Sequence, residues 1–139
     1  MIVLDTNVLS ELMRTSPDGN VVRWFSEQAD SGFHITSITQ GEILHGILLM
    51  PAGKKRSAVH AAAEALFEVE FGGRILAFDE VAARSYAGIA AERRRAGRPI
   101  SQFDAQIAAI AHAARATVAT RNVVDFEGCG VKVVNPWDR

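Results

Sequence analysis

The sequence predicts an α/β sandwich around a central, mostly parallel sheet. Short apolar segments recur along the chain, and longer segments with helical spacing of apolar residues separate them. The first of these segments is wholly apolar, as expected for a strand that is covered on both faces. The chain has 139 residues, 48% hydrophobic and 22% charged, so residues 1–139 are expected to form one domain with one core.

The first elements follow from these patterns. Ile2–Leu4 is predicted to be a buried strand. A short helix is predicted over 8–13, and the turn residues at 16–19 end it. Asn20 is a candidate cap for a second helix with one apolar face. Phe33–Thr36 is the second predicted strand.

Two helices are predicted between the second and third strands. Thr39 and Glu42 have the spacing of a capping box, so a helix is expected to begin near Thr39 and to end before Pro51. A longer helix is predicted over 56–67. The third strand is predicted at 75–78, where β-branched and aromatic residues are concentrated.

The rest of the chain continues the alternation of helix and strand. Asp79 is predicted to cap a helix that Gly97 stops, and Ser101 to open a helix rich in Ala and Ile. The fourth and fifth strands are predicted at 117–119 and 131–134. No repeat or linker-like segment divides these elements, which is consistent with a single domain.

Several acidic residues are expected at the carboxyl ends of the strands, the edge at which parallel α/β sheets bind ligands. Asp5 directly follows the first predicted strand, and Thr120 directly follows the fourth. Glu42 and Asp104 lie in the first turns of predicted helices, and Asp125 lies in the loop after the fourth strand. We therefore expect these four acids to converge.

Converging carboxylates repel one another, so such a cluster indicates a bound cation. Oxygen ligands favour Mg²⁺, for which Mn²⁺ can substitute, and waters on such a cation can attack a phosphodiester. Thr6 and Asn7 are candidates for orienting Asp5 through hydrogen bonds. Thr120 is a candidate for holding Asp5 or a phosphate in the same way. Arg121 is a candidate for contacting a phosphate. Taken singly, each acid is better explained as a helix cap or turn residue, and only the joint pattern favours a site.

Four segments, read in order, resemble one family: LDTNVLSEL at 4–12, SITQGEILHG at 37–46, SQFDAQIAAIA at 101–111 and VATRNVVDF at 118–126. With NPW at 135–137, they are similar to the PIN-domain toxins of bacterial type II toxin–antitoxin systems, in the VapC and FitB-like branch. The resemblance implies a PIN-like α/β/α sandwich with five strands and a homodimeric, magnesium-dependent endoribonuclease that cuts RNA such as tRNA or rRNA. It also implies a small partner protein, the antitoxin, that blocks the site. The toxin is then expected to associate with operator DNA only through this antitoxin.

Carried over by position, the metal ligands of that family fall on Asp5, Glu42 and Asp104. The fourth position stays open, because Asn122 stands where many relatives have Asp and Asp125 comes three residues later. Both residues remain candidates. The neutral Asn122 also keeps open an alternative function, a catalytically silent PIN-like module that binds RNA or a protein.

Two basic clusters are candidates for contacts with an RNA backbone, although solvated helix ends explain them as well. They contain Lys54, Lys55, Arg93 and Arg94. The formal net charge of -1 favours neither interpretation. Without a secretory signal core or a bilayer-spanning apolar run, the chain is expected to be cytoplasmic and free of membrane contact. The sequence also lacks the phosphate-binding glycine loops of nucleotide-binding α/β domains, which disfavours that class.

Overall fold

Five parallel strands form the central sheet of the computed structural model, which describes residues 1–138. The strands are β1 (Ile2–Leu4), β2 (Phe33–Thr36), β3 (Ile75–Leu76), β4 (Thr117–Ala119) and β5 (Val133–Val134). They lie in the order β3-β2-β1-β4-β5, and every neighbouring pair is parallel. The predicted α/β fold is thus confirmed, and the sheet is wholly rather than mostly parallel.

Six α-helices connect the strands within residues 1–138: α1 (Thr6–Leu12), α2 (Gly19–Glu27), α3 (Ser37–Leu48), α4 (Lys54–Ala65), α5 (Glu80–Arg95) and α6 (Gln102–Ala113). A π-helical turn at Leu66–Glu70 extends α4, and 3₁₀ turns lie at Ala29–Ser31 and Val123–Phe126. None of the helices in this part of the chain is long and apolar enough to cross a membrane.

The central strand β1 divides the core into two layers, because its side chains alternate between the two faces of the sheet. Ile2 and Leu4 belong to the layer that α1, α2, α3 and α4 cover. Val3 belongs to the other layer, where it packs with residues of α5 and α6 such as Ile89 and Ile107. Helices on both faces explain why β1 is apolar throughout.

Two predicted helix caps are wrong, and in both cases a residue earlier in the chain does the capping. Asp18, rather than Asn20, caps α2, and its carboxylate accepts hydrogen bonds from the Asn20 and Val21 amides. The capping box of Thr39 and Glu42 does not form. Because β2 continues directly into α3, the last strand residue, Thr36, is the cap and accepts from the Thr39 amide at 3.1 Å.

Other predicted boundaries move by a few residues. The helix predicted over 8–13 begins at Thr6, because the Asp5 carboxylate already caps it. The helix predicted over 56–67 begins at Lys54, directly after Gly53. The strands predicted at 75–78 and 131–134 are only two residues long, since each pairs on one side alone at an edge of the sheet.

Candidate active site

The carboxyl ends of β1 and β4 bring the first predicted site residues together. Leu4 pairs with Ala119, and the Asp5 amide donates to the Ala119 carbonyl at 2.9 Å. Asp5 and Thr120, which are 115 positions apart in the chain, therefore leave the sheet side by side. The Thr120 hydroxyl donates to Asp5 Oδ2 at 2.8 Å. This edge of the sheet is where the sequence predicts a site.

Asp5 is 4% exposed and firmly held by its neighbours. Its Oδ1 accepts from the Thr6 amide at 2.8 Å, and its Oδ2 accepts from Asn7 Nδ2 at 3.2 Å as well as from Thr120. Asn7 in turn accepts through Oδ1 from the Arg121 amide at 3.2 Å. Three donors on one carboxylate fix its orientation at the start of α1.

A chain of hydroxyl groups holds the second acid, Glu42. Thr6 Oγ1 donates to Glu42 Oε1 at 2.8 Å and lies 2.9 Å from Thr39 Oγ1. Because the ionised carboxylate only accepts, the single proton of Thr6 goes to Glu42, and Thr39 must donate to Thr6. Sequence reasoning assigned Thr39 only a capping role. Its place three residues before Glu42, on the same helix face, is the signal that was available.

The electrostatics tie the four acids into one group. Burial raises the pKa of Asp5 from 3.8 to about 6; hydrogen bonds from Thr120 and Thr6 oppose this rise, and the charges of Asp104 and Glu42 add to it. Burial also raises the pKa of Asp104, the Ser101 hydrogen bond lowers it, the charge of Asp125 raises it and the charge of Arg93 lowers it. Asp5 is thus affected by Asp104 and Glu42, and Asp104 by Asp125.

The structure treats the two candidates for the fourth position differently. Asp125 lies in the turn Val123–Phe126, and its charge acts on Asp104. Asn122 precedes that turn, and its backbone amide donates to Thr120 Oγ1 at 3.0 Å. Asn122 also accepts through its carbonyl from the Asp125 amide at 3.0 Å, so both of these hydrogen bonds use its backbone. Asp125 is the candidate whose charge acts on Asp104, and the fourth position stays a prediction.

The oxygen atoms of these carboxylates suit a divalent cation that is bound by only one or two of them directly. Within residues 1–138, no group of three or more His, Cys, Asp or Glu side chains is arranged to hold a metal ion by itself. Mg²⁺, however, is commonly bound by one or two carboxylates and keeps water in its other positions. Burial and the charges of Asp104 and Glu42 raise the pKa of Asp5 despite its hydrogen bonds, and a cation beside it would favour the ionised form. Asp5 with Asp104 and Glu42 nearby suits such a hydrated ion.

The basic candidates divide into exposed and buried residues. Lys54 and Lys55 are exposed at the start of α4, and Arg94 is exposed near the end of α5. Arg121 is exposed beside Asn122, with its guanidinium carbon 5.0 Å from the centre of the Trp137 ring.

The prediction that Arg93 contacts RNA is wrong. Arg93 is 7% exposed, and its side chain donates to the carbonyls of Arg98, Asp125 and Glu127. A guanidinium committed to protein carbonyls inside the fold is not available to a phosphate backbone. Sequence reasoning grouped it with its exposed neighbours because the run of arginines carries no sign of which one turns inward.

Comparisons with known proteins place these features in a family. A family model for the PIN domain matches residues 2–126. The chain is 41% identical over 138 residues to the plasmid stability protein StbB of Pseudomonas syringae pv. tomato, and 41% identical over 138 residues to the VapC ribonuclease Y4jK of Sinorhizobium fredii. Each alignment covers 99% of both chains.

Solved structures with the same fold come from toxin–antitoxin complexes. A chain in the crystal structure of FitAcB from Neisseria gonorrhoeae is similar with a TM-score of 0.93 and 39% identity, covering 100% of both chains. A chain in the crystal structure of DNA-bound VapBC from Salmonella typhimurium is similar with a TM-score of 0.76 and 27% identity, covering 97% of each. The similarity to the FitAcB chain extends over the whole of this chain.

Proposed function

The chain belongs to the PIN-domain family, in the VapC and FitB-like toxin branch, and from this premise we propose that it is a Mg²⁺-dependent endoribonuclease. In this proposal it is the toxin of a type II toxin–antitoxin module and hydrolyses phosphodiester bonds of RNA. The observation that supports the proposal is the buried Asp5 at the carboxyl edge of the sheet, on which the charges of Asp104 and Glu42 act, together with the effect of Asp125 on Asp104.

The residues of the site have separate tasks in this reaction. Thr120, Asn7 and the Thr6 amide keep the Asp5 carboxylate in one orientation, and Thr6 does the same for Glu42. When bound, Mg²⁺ supplies an activated water and neutralises charge on the phosphate oxygens. Because these carboxylates are already held in place, they need not reorganise during the reaction. This preorganisation is how they would lower the barrier to cleavage.

An exposed aromatic ring supports a nucleic acid as the substrate. Phe103 is 55% exposed and directly precedes Asp104 on the first turn of α6. Phe103 and Glu42 line the same cavity of about 450 Å³. Unpaired bases stack on such rings, whereas a small phosphate monoester gains nothing from them. We propose Arg121 and the exposed Lys54, Lys55 and Arg94 as contacts to the RNA backbone.

Cleavage of RNA by purified protein tests the proposal. With Mg²⁺ or Mn²⁺ we expect cleavage that EDTA stops, and we expect Asp5→Asn and Asp104→Asn to abolish it while the fold survives. Asp30→Asn, at an exposed acid in the turn after α2, is the matched control and keeps the activity. An inactive parent protein, or variants at Asp5 and Asp104 as active as the parent, would overturn the proposal.

The lack of a three-acid metal group within residues 1–138 favours one second candidate, a catalytically silent module that binds RNA or a protein. Calorimetric titration separates the two candidates. Uptake of Mn²⁺ or Mg²⁺ that Asp5→Asn removes supports the nuclease. No uptake, together with RNA binding but no cleavage, supports the silent module.

An antitoxin is the proposed protein partner, as in the complexes of its relatives. An apolar cavity of about 490 Å³ lies along α1 and α2, and its lining includes Leu12, Met13, Phe25 and Leu66. Leu12 and Met13 lie at the carboxyl end of α1, and Phe33, which also lines the cavity, is the first residue of β2. The cavity is therefore a docking surface away from the acids, and a further part of the antitoxin would have to reach them to block the site. We expect Met13→Glu to weaken binding of the antitoxin, and Val22→Glu, at an exposed position of α2, to leave it unchanged.

The protein is also proposed to form a homodimer, and to bind operator DNA only through its antitoxin. Analytical ultracentrifugation of the toxin alone tests the first point, with a monomer at micromolar concentration as the contradicting result. Binding of operator DNA by the toxin without its antitoxin would contradict the second.

A further inference from the structure

Arg93 is a buried cation that has no carboxylate partner. It is 7% exposed, and no carboxylate in residues 1–138 lies within 4.0 Å of its guanidinium nitrogens. Buried arginines are ordinarily paired with an acid, because desolvating a lone charge is unfavourable. The charge of Arg93 lowers the pKa of Asp104, but the two side chains form no ion pair. Other contacts must therefore hold the guanidinium in the core.

The guanidinium of Arg93 instead joins two separate parts of the chain through their carbonyl groups. Its Nε donates to the Arg98 carbonyl at 2.7 Å, across the turn that ends α5. One terminal nitrogen donates to the carbonyls of Asp125 at 2.9 Å and Glu127 at 2.7 Å. Donors spread over a rigid plane reach both sites together, which the single ammonium of a lysine cannot do.

The segment that Arg93 holds carries Asp125. Phe126 and Cys129 anchor the segment 123–129 in the core, being 1% and 2% exposed. Asp125 itself is exposed, and one of the two Arg93 contacts on the segment is made to its own carbonyl. Arg93 is thus bonded to the backbone of the residue whose charge acts on Asp104.

We infer that Arg93 is a positioning residue of the active site: it fixes the segment 123–129 to the end of α5 and thereby holds the Asp125 carboxylate beside Asp104. This inference rests on the proposed nuclease function. Arg93 donates to the backbone of the segment that it binds. Its charge also acts on Asp104 directly, and because Arg93→Lys keeps that charge, this variant tests the contacts with the segment.

Arg93→Lys tests the inference by two independent readouts. Hydrogen–deuterium exchange of the amides at 123–129 needs no activity, and the inference predicts faster exchange there with little change in the sheet. Single-turnover RNA cleavage is compared for the parent, Arg93→Lys, Asp125→Asn and the double variant. Arg84→Lys, at an exposed arginine of the same helix that pairs with Glu80, is the matched control.

We expect Arg93→Lys to slow cleavage at least tenfold, and the double variant to be no slower than the slower single variant. Such non-additivity shows that Arg93 acts through Asp125. Two results would overturn the inference. One is a double variant whose loss of cleavage rate is the product of the two single losses. The other is hydrogen–deuterium exchange at 123–129 that is the same in Arg93→Lys as in Arg84→Lys. If the parent protein cleaves no RNA, the proposed function fails, and the exchange measurement alone then decides whether Arg93 anchors the segment.

Discussion

Removing the charge of Asp5 is expected to change how stability depends on pH in the metal-free protein. The pKa of Asp5 is about 6 in the folded chain and 3.8 as the unperturbed value, so the folded state takes up the proton more readily. A pKa raised on folding makes the protein more stable as pH falls through that pKa. The free energy of unfolding should therefore increase on mild acidification, as Asp5 takes up a proton.

The size of the effect follows from the two pKa values. Between about pH 7.5 and about pH 5, protonation of Asp5 is worth on the order of 1 kcal/mol of unfolding free energy. For a domain of this length, that corresponds to a shift of roughly 4 °C in the midpoint of thermal unfolding. No discount for solvent screening is needed, because the side chain is 4% exposed.

The assay compares urea unfolding of the parent and Asp5→Asn at both pH values, in EDTA and at one protein concentration. The gain in unfolding free energy from about pH 7.5 to about pH 5 should be on the order of 1 kcal/mol larger in the parent than in Asp5→Asn. Asp30→Asn, at an exposed acid, should keep the behaviour of the parent. Equal pH dependence in the parent and Asp5→Asn would refute the reasoning, since it would mean that Asp5 is not the buried carboxylate with a raised pKa described above.

Three further substitutions test other parts of the structure. Thr39→Val removes the donor to Thr6 and is expected to weaken metal binding or cleavage about 10–100-fold, which Thr39→Ser should restore; equal values for the two variants would contradict the hydroxyl chain. Gly72→Ala places a methyl carbon 2.5 Å from the Glu68 carbonyl oxygen and is expected to cost about 1–3 kcal/mol in urea unfolding; an unchanged midpoint would contradict this. Phe103→Ala is expected to weaken RNA binding by about 1–3 kcal/mol in a titration with an uncleavable RNA, and Phe103→Trp to preserve it; equal affinity of the alanine variant would exclude stacking.

The features that the sequence predicts correctly are those that local chemistry determines. The apolar run Ile2–Leu4 identifies a strand covered on both faces, and its end identifies Asp5 as a residue at the carboxyl edge of the sheet. Asp79 and Ser101 cap α5 and α6 as predicted, because a cap needs only the amides of the next turn.

The features that the sequence does not predict depend on contacts between distant residues. Arg93 and Arg94 are neighbours of identical type, and only the loop around Glu127 distinguishes them by accepting hydrogen bonds from one. The role of Thr39 depends on Thr6, which is 33 positions away. Helix α3 begins before Thr39 because strand pairing by β2 ends at Thr36, and this too is decided by neighbours in space.

The pairing of β1 with β4 also has a consequence for protein synthesis. β1 is made first, yet its place is at the middle of the sheet, and β4 begins only at Thr117. While a ribosome is still producing the first hundred residues or so, Asp5 has no Thr120 to hold it, and neither Asp104 nor Asp125 has been made. A nascent or truncated chain therefore lacks an assembled set of acids, and the proposed nuclease could act only when synthesis has passed Asp125.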